Sequence, residues 1–251
     1  MNGIIHDPLS LGLLAILTFL LPALGVWDYR RLLRHVREGR ANARRRAYLW
    51  TIALQWTLTL GFMSWWLLSN RTLAPLRLIS KAAGLQWLVI AAGIAAVALL
   101  LIQMVTTLRS RDSLEKVRQQ SRDLLELAPR SPAERRAFVL LSITAGVCEE
   151  ILYRGLLIAV LSAVVGTWPA VILSTVIFGL GHAYQGVKGI VKTGAAGLVL
   201  ALLAVGSGSL FIPILLHAVG DLTSGRILGA ATRGASADTT RASSPALETT
   251  A

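Results

Sequence analysis

About seven stretches of this chain run for close to 20 residues with almost no charge, and that pattern limits the fold more than any motif does. A charge-free run of roughly 20 residues is the length of helix that crosses a hydrocarbon layer about 30 Å thick. Inside such a layer the backbone must satisfy its own hydrogen bonds, so separate segments have to be helical. The spans run from about Leu9 to Trp27, Ala47 to Leu68, Gly84 to Leu108, Ala137 to Leu161, Val164 to His182, Gly189 to Val205 and Ser209 to Ile227. Composition agrees, because only 15% of the 251 residues are charged, against about a quarter in soluble domains. The expected fold is all-α, a polytopic membrane protein with about seven transmembrane helices. Trp27, Trp50, Trp65, Trp66, Trp87 and Trp168 fall near span ends, where an amphipathic ring suits the headgroup layer. Trp56 lies mid-span and is expected to pack inside.

Arginine and lysine set the expected orientation. The first loop holds Arg30, Arg31, Arg34, Arg37, Arg40, Arg44, Arg45 and Arg46 against Asp28 and Glu38. The third loop is equally basic, from Arg109 to Arg136, and Lys188, Lys192, Arg226, Arg233 and Arg241 follow later spans. Alternating spans put all of these on one side, which the positive-inside rule makes cytoplasmic; the second loop carries only Arg71, Arg77 and Lys81. The expectation is a multi-pass protein of the cell membrane, N-terminus outside and C-terminus inside. His6 and Asp7 precede the first span without Arg or Lys, which argues against a cleaved signal peptide.

Four regions are expected: an N-terminal three-helix membrane region (1–108), a cytoplasmic amphipathic helix and linker (109–136), a membrane domain rich in ionisable residues (137–229), and a disordered tail (230–251). Ser131-Pro132-Ala133-Glu134 has the form of a capping box with proline at the first helical position, so a helix should start there. The net charge of +12 belongs to loops beside spans, where anionic headgroups attract it, so no nucleic-acid partner is expected. Cys148 is the single cysteine, which excludes an internal disulfide or a thiolate metal cluster and reads as a packed residue.

The spans hold ionisable residues where they are costly. Glu149, Glu150 and Arg154 lie mid-span, and a charge at that depth costs several kcal/mol or so unless paired or hydrated. Glu150 and Arg154 are four apart and share a face, whereas Glu149, rotated by about 100°, has no obvious local partner. The fifth span ends in Phe178-Gly179-Leu180-Gly181-His182, and the seventh holds His217 and Asp221, again four apart. If the three spans pack together, these groups cluster.

Glu149-Glu150-x-x-x-Arg154, Phe178-x-x-x-His182 and His217-x-x-x-Asp221, in that order and each on a span, resemble the motifs of the CPBP family, also called Abi. That family comprises CAAX prenyl endopeptidases and bacteriocin-processing intramembrane proteases. The resemblance covers roughly Ala137 to Gly229 and implies a hydrolase: Glu149 and His182 activate a water, and His217 with Asp221 stabilises the oxyanion. Glu150, Arg154 and Phe178 would support the site. Asp221 stands where asparagine is common. An ionised aspartate cannot donate a hydrogen bond, so Asp221 is expected to orient His217 or to donate only when protonated.

Two histidines with one or two carboxylates would suit a catalytic zinc held by His182, His217 and Glu149. There is no His-Glu-x-x-His signature, so a metal-free mechanism is placed ahead with the cofactor left open. The expected partners are the bilayer and a membrane-associated, lipidated or membrane-spanning peptide substrate; oligomeric state is not legible. A non-catalytic adaptor or self-immunity protein would keep the same constellation. A small transporter or proton relay would also bury Glu, His and Asp, but usually shows a repeat, and none is visible here.

Overall fold

The computed structural model describes residues 7–78 and 83–242, and no strand occurs among them. Seven long helical rods make up the bundle. They are α1 (Pro8–Arg37), α2 (Ala43–Leu68) and α3 (Gln86–Arg109), then α5 (132–165), α6 (Thr167–Gly181), α7 (Gly186–Ser207) and α8 (Phe211–Ala242). Between α3 and α5 lie the shorter α4 (Arg111–Gln120) and a 3-10 turn, Arg122–Leu127.

Four rods are long and apolar enough to cross a membrane by length and composition: α1, α3, residues Ala183–Ser207 and residues Phe211–Arg233. The other three depart from that standard for physical reasons. α2 carries Gln55 and three threonines, α5 carries Glu149, Glu150 and Arg154, and α6 has 15 residues. At 1.5 Å per residue α6 reaches about 22 Å, short of a hydrocarbon core of about 30 Å. The chain is an all-α membrane protein whose least apolar rods are those nearest its polar groups.

Helix starts follow local chemistry. Asp7 caps α1 by accepting the Leu9 amide at 2.9 Å, ahead of Pro8. Ser131 caps α5: its hydroxyl accepts the Glu134 amide at 3.2 Å, and Glu134 accepts the Ser131 amide at 2.9 Å. The capping box is therefore complete, and it sets where α5 begins.

The basic connectors meet at one end of the bundle. Tyr29 donates to the Asp123 carbonyl, Arg44 pairs with Glu126 at 2.5 Å, and Tyr48 donates to the Leu127 carbonyl at 2.5 Å. The first loop and the third are thus neighbours. α4 packs against α8.

At the opposite end, residues 69–78 fold inward. Leu76 is fully buried, the Arg77 carbonyl accepts the Leu210 amide at 3.0 Å, and Arg77 Nη1 donates to the Arg154 carbonyl at 3.5 Å. Trp65 and Trp66 belong to the core rather than to the headgroup belt. Both are buried: Trp65 Nε1 donates to Asp7 at 3.0 Å, Trp66 Nε1 donates to the Thr72 carbonyl at 3.0 Å, and Arg71 lies over both rings. Trp56 reverses its expectation too, being 38% exposed while its Nε1 donates to Thr144 at 3.3 Å. Trp27, Trp50, Trp87 and Trp168 are exposed, the last two at the starts of α3 and α6.

α8 runs on to Ala242, past residue 230 where composition suggests a disordered tail. The run from Gly229 to Ala237 is alanine-rich, and alanine is the best helix former. The rest of that tail, 243–251, lies outside the described residues.

Replacing Ser131 by alanine leaves the Glu134 amide without its cap. It should cost about 1 kcal/mol, read as a lower unfolding midpoint, while Ser131→Asp should restore most of the loss.

Candidate active site

The centre of α5 is not a regular α-helix. Pro132–Glu149 is α-helical, Glu150–Leu157 winds as a π-helix, and Ile158–Val165 returns to α. Such wide turns occur mostly as short segments, often at functional sites, because they re-aim side chains that a regular helix would spread around its axis. Glu149 is the last residue before the change, and Glu150 and Arg154 lie inside it.

Glu150 and Arg154 are almost fully buried, at 0% and 1% exposure, and pair at 2.7 Å. Removing two charges from water is costly, and the cost is offset only where every donor finds an acceptor. The pair meets that condition in part: Arg154 Nη1 donates to Glu150, Nη2 donates to the Gly197 carbonyl at 3.0 Å, and the guanidinium lies 4.1 Å from the Phe178 ring centre, while Glu150 Oε2 is buried with no donor among the described residues. α7 can approach this closely because residue 197 is glycine. A Cβ there would sit 3.0 Å from Arg154 Nη2 and 2.7 Å from a Phe178 ring carbon.

The imidazole of His217, from α8, stands between the two carboxylates of α5. Its Nδ1 lies 2.7 Å from Glu150 Oε1, and its Nε2 lies 3.8 Å from Glu149 Oε2. A carboxylate paired with arginine only accepts, so Nδ1 carries the proton and Nε2 faces Glu149. Asp221 does not orient His217 as the sequence suggests, since its carboxylate is 3.9 Å from Nε2, beyond hydrogen-bond reach. Glu150 takes that role, and Asp221 stands at a partly exposed edge.

His182, just after α6, is held in a parallel way. Its Nδ1 lies 3.0 Å from the Phe178 carbonyl, which can only accept, so Nε2 is left free to act. The Phe178 ring lies between the two imidazoles, 5.0 Å from His182 and 6.0 Å from His217 between ring centres. Phe178 thus touches Arg154, His182 and His217 at once.

Gln55 is a site residue that the motif pattern omits. From α2, its Nε2 donates to Glu149 Oε1 at 2.6 Å. The available signal was a glutamine amid an apolar run, the same signal that marks Glu149 itself. The other Glu149 oxygen, Oε2, is buried and has no donor among the described residues. Tyr184 lies 5.9 Å from His182 and 5.6 Å from Tyr29 between ring centres, extending an aromatic wall toward α1. Cys148 is buried and unpaired, as its position suggests.

His182, His217 and Glu149 are donor types that a catalytic zinc takes, and their far nitrogens are held by oxygens in the usual manner. No three His, Cys, Asp or Glu groups among the described residues converge at ligand spacing, however. The donor set does not form a cage, and the chemistry that follows uses the chain's own groups.

Residues 132–223 match the model of the family described as type II CAAX prenyl endopeptidase Rce1-like. No curated protein and no solved structure matches the chain. The matched segment opens at the Ser131 cap and closes just after Asp221, so it contains all three motifs and leaves Gln55 outside. Over residues 132–223, then, the chain is similar to the CAAX prenyl endopeptidases, in line with the resemblance that its three motifs bear to the CPBP family.

Proposed function

We propose that this protein is an intramembrane endopeptidase that hydrolyses a peptide bond of a membrane-associated substrate. One observation carries the reading: Glu149 presents a buried carboxylate oxygen to the Nε2 edge of His217, while Gln55 holds its other oxygen. A base needs one free lone pair and a fixed orientation, and this arrangement supplies both. Gln55 donates to Oε1, leaving Oε2 to take a proton from water.

The water oxygen attacks the peptide carbonyl carbon as its proton passes to Glu149. The carbonyl electron pair moves onto oxygen, and the oxyanion is met by His217 when Nε2 carries a proton. Collapse of the tetrahedral intermediate breaks the carbon–nitrogen bond, and Glu149 returns the proton to the leaving nitrogen. His182, with its Nδ1 proton spent on the Phe178 carbonyl, offers Nε2 as an acceptor that aligns the water. Glu150 and Arg154 touch no substrate in this scheme. They position His217 and keep α7 against α5.

In this reading the basic end of the bundle faces the cytoplasm, the N-terminus lies outside, and the substrate enters from the cytoplasmic leaflet of the cell membrane. The arginine asymmetry between the first and second loops supports that orientation.

Three outcomes are expected. Glu149→Gln should lower turnover of an identified membrane substrate by about 100- to 10,000-fold with folded yield unchanged, since glutamine keeps the shape but is no base. Near wild-type turnover would refute the assignment, and a binding function that survived the loss of turnover would favour an adaptor. Arg154→Ala should instead lower stability by about 3–5 kcal/mol, because it leaves Glu150 charged in the core without its guanidinium. Melting measurements and yield after detergent extraction would show the difference. Finally, in a Cys148→Ala background, Thr72→Cys should react with an impermeant thiol reagent on intact cells and Arg40→Cys only after lysis. The reverse pattern would overturn the orientation.

A further inference from the structure

A cavity of about 640 Å³ opens at the basic end of the bundle, between the end of α3, the first turns of α5 and the middle of α8. Its floor is apolar, formed by Phe138, Val139 and Leu222. Around it stand four guanidiniums, those of Arg135, Arg136, Arg226 and Arg233, all exposed. The cavity depends on a small residue in α8. Phe138 lies against Gly225, and a Cβ there would overlap its ring.

Two carboxylates at this end of the bundle are engaged elsewhere. Glu126 pairs with Arg44 and Arg130, and Glu134 is held by the backbone amides of Arg130 and Ser131. Among the described residues, no carboxylate pairs with any of the four. Four like charges gathered around one cavity repel one another unless an anion lies between them. The floor adds a second requirement, because bare methylene and aromatic surface in a cavity favours an apolar occupant.

We propose that this cavity binds an anionic phospholipid, its phosphate held by the guanidiniums and its first methylenes lying on Phe138, Val139 and Leu222. Arginine suits the task, since its planar fork matches a phosphate's oxygens. The position suits it as well: apolar rods give way here to charged connectors, the level at which headgroups lie. Basic pockets between membrane helices hold acidic headgroups for the same reason. A zwitterionic lipid carries its own cation and gains less from the four arginines. A soluble anion gains nothing from the floor.

The full chain in mixed micelles, offered equal phosphatidylglycerol and phosphatidylcholine, would be measured by native mass spectrometry. Phosphatidylglycerol should be retained about tenfold over phosphatidylcholine. Arg136→Gln combined with Arg226→Gln should bring the ratio close to one, while Arg31→Gln, outside the cavity, should leave it unchanged. Equal retention by the unaltered protein, or a preference that survives in the double variant, would overturn the proposal. Should the double variant fail to fold, thermal unfolding of the unaltered protein decides. Short-chain phosphatidylglycerol should raise the midpoint, and inorganic phosphate or short-chain phosphatidylcholine should not. An equal rise with inorganic phosphate would make this a soluble-anion site. An equal rise with phosphatidylcholine would reduce it to acyl-chain packing, and no rise at all would mean no site; each result rejects the lipid assignment.

Discussion

The pairing of Glu150 with Arg154 governs the arrangement around it. An ion pair at 0% and 1% exposure needs further contacts to offset its desolvation. Supplying them recruits three further rods: α7 through the Gly197 carbonyl, α6 through the face of Phe178, and α8 through His217. Each contact is short and directional, so the pair works as a register mark for the bundle. The same oxygen of Glu150 that accepts Arg154 also accepts His217, which ties the fold's most buried charge to the imidazole nearest Glu149.

The π-helical segment makes this compatible with one continuous rod. A regular helix would turn Glu149 away from Glu150 by about 100°. In the structure Glu150 bonds the imidazole's Nδ1 at 2.7 Å, while Glu149 stands 3.8 Å from its Nε2. Burial of Leu76 against the segment and the bond from Arg77 to the Arg154 carbonyl pack its outer side. The widened turn is therefore enclosed by side chains and connectors instead of relaxing to an α-helix.

Local chemistry was legible in the sequence and tertiary pairing was not. The Ser131 capping box and the Glu150–Arg154 bridge are contacts three and four residues apart, and helical geometry alone specifies them. The partner of His217 is different. Asp221 shares its face one turn away, but Glu150 lies 67 residues earlier and reaches it only because α5 and α8 pack. Gln55 is 94 residues from Glu149 and outside the segment shared with the family, so spacing could not join them. Trp65 and Trp66 show the same limit. Their place near a helix end suggests a headgroup belt, while Asp7, Arg71 and the inward fold of residues 69–78 bury them. The sequence leads one to expect Glu149, Glu150, Arg154, His182, His217 and Asp221 to cluster, because buried ionisable groups must meet one another; of these, Glu150, Arg154 and His217 share the short contacts.

The shortness of α6 bears on the membrane itself. Fifteen helical residues end about 8 Å short of a typical hydrocarbon thickness. If α6 crosses the bilayer at this length, the lipid has to thin locally or admit water beside its end. Thinning of this kind is a fault line in the lipid, fixed in position by the protein's own dimensions. A peptide segment drifting in the leaflet would meet shallower, wetter lipid there than anywhere else along the bundle. Its backbone would lose the hydrocarbon surroundings that hold it helical, and an extended strand is the form in which a peptide bond can be reached.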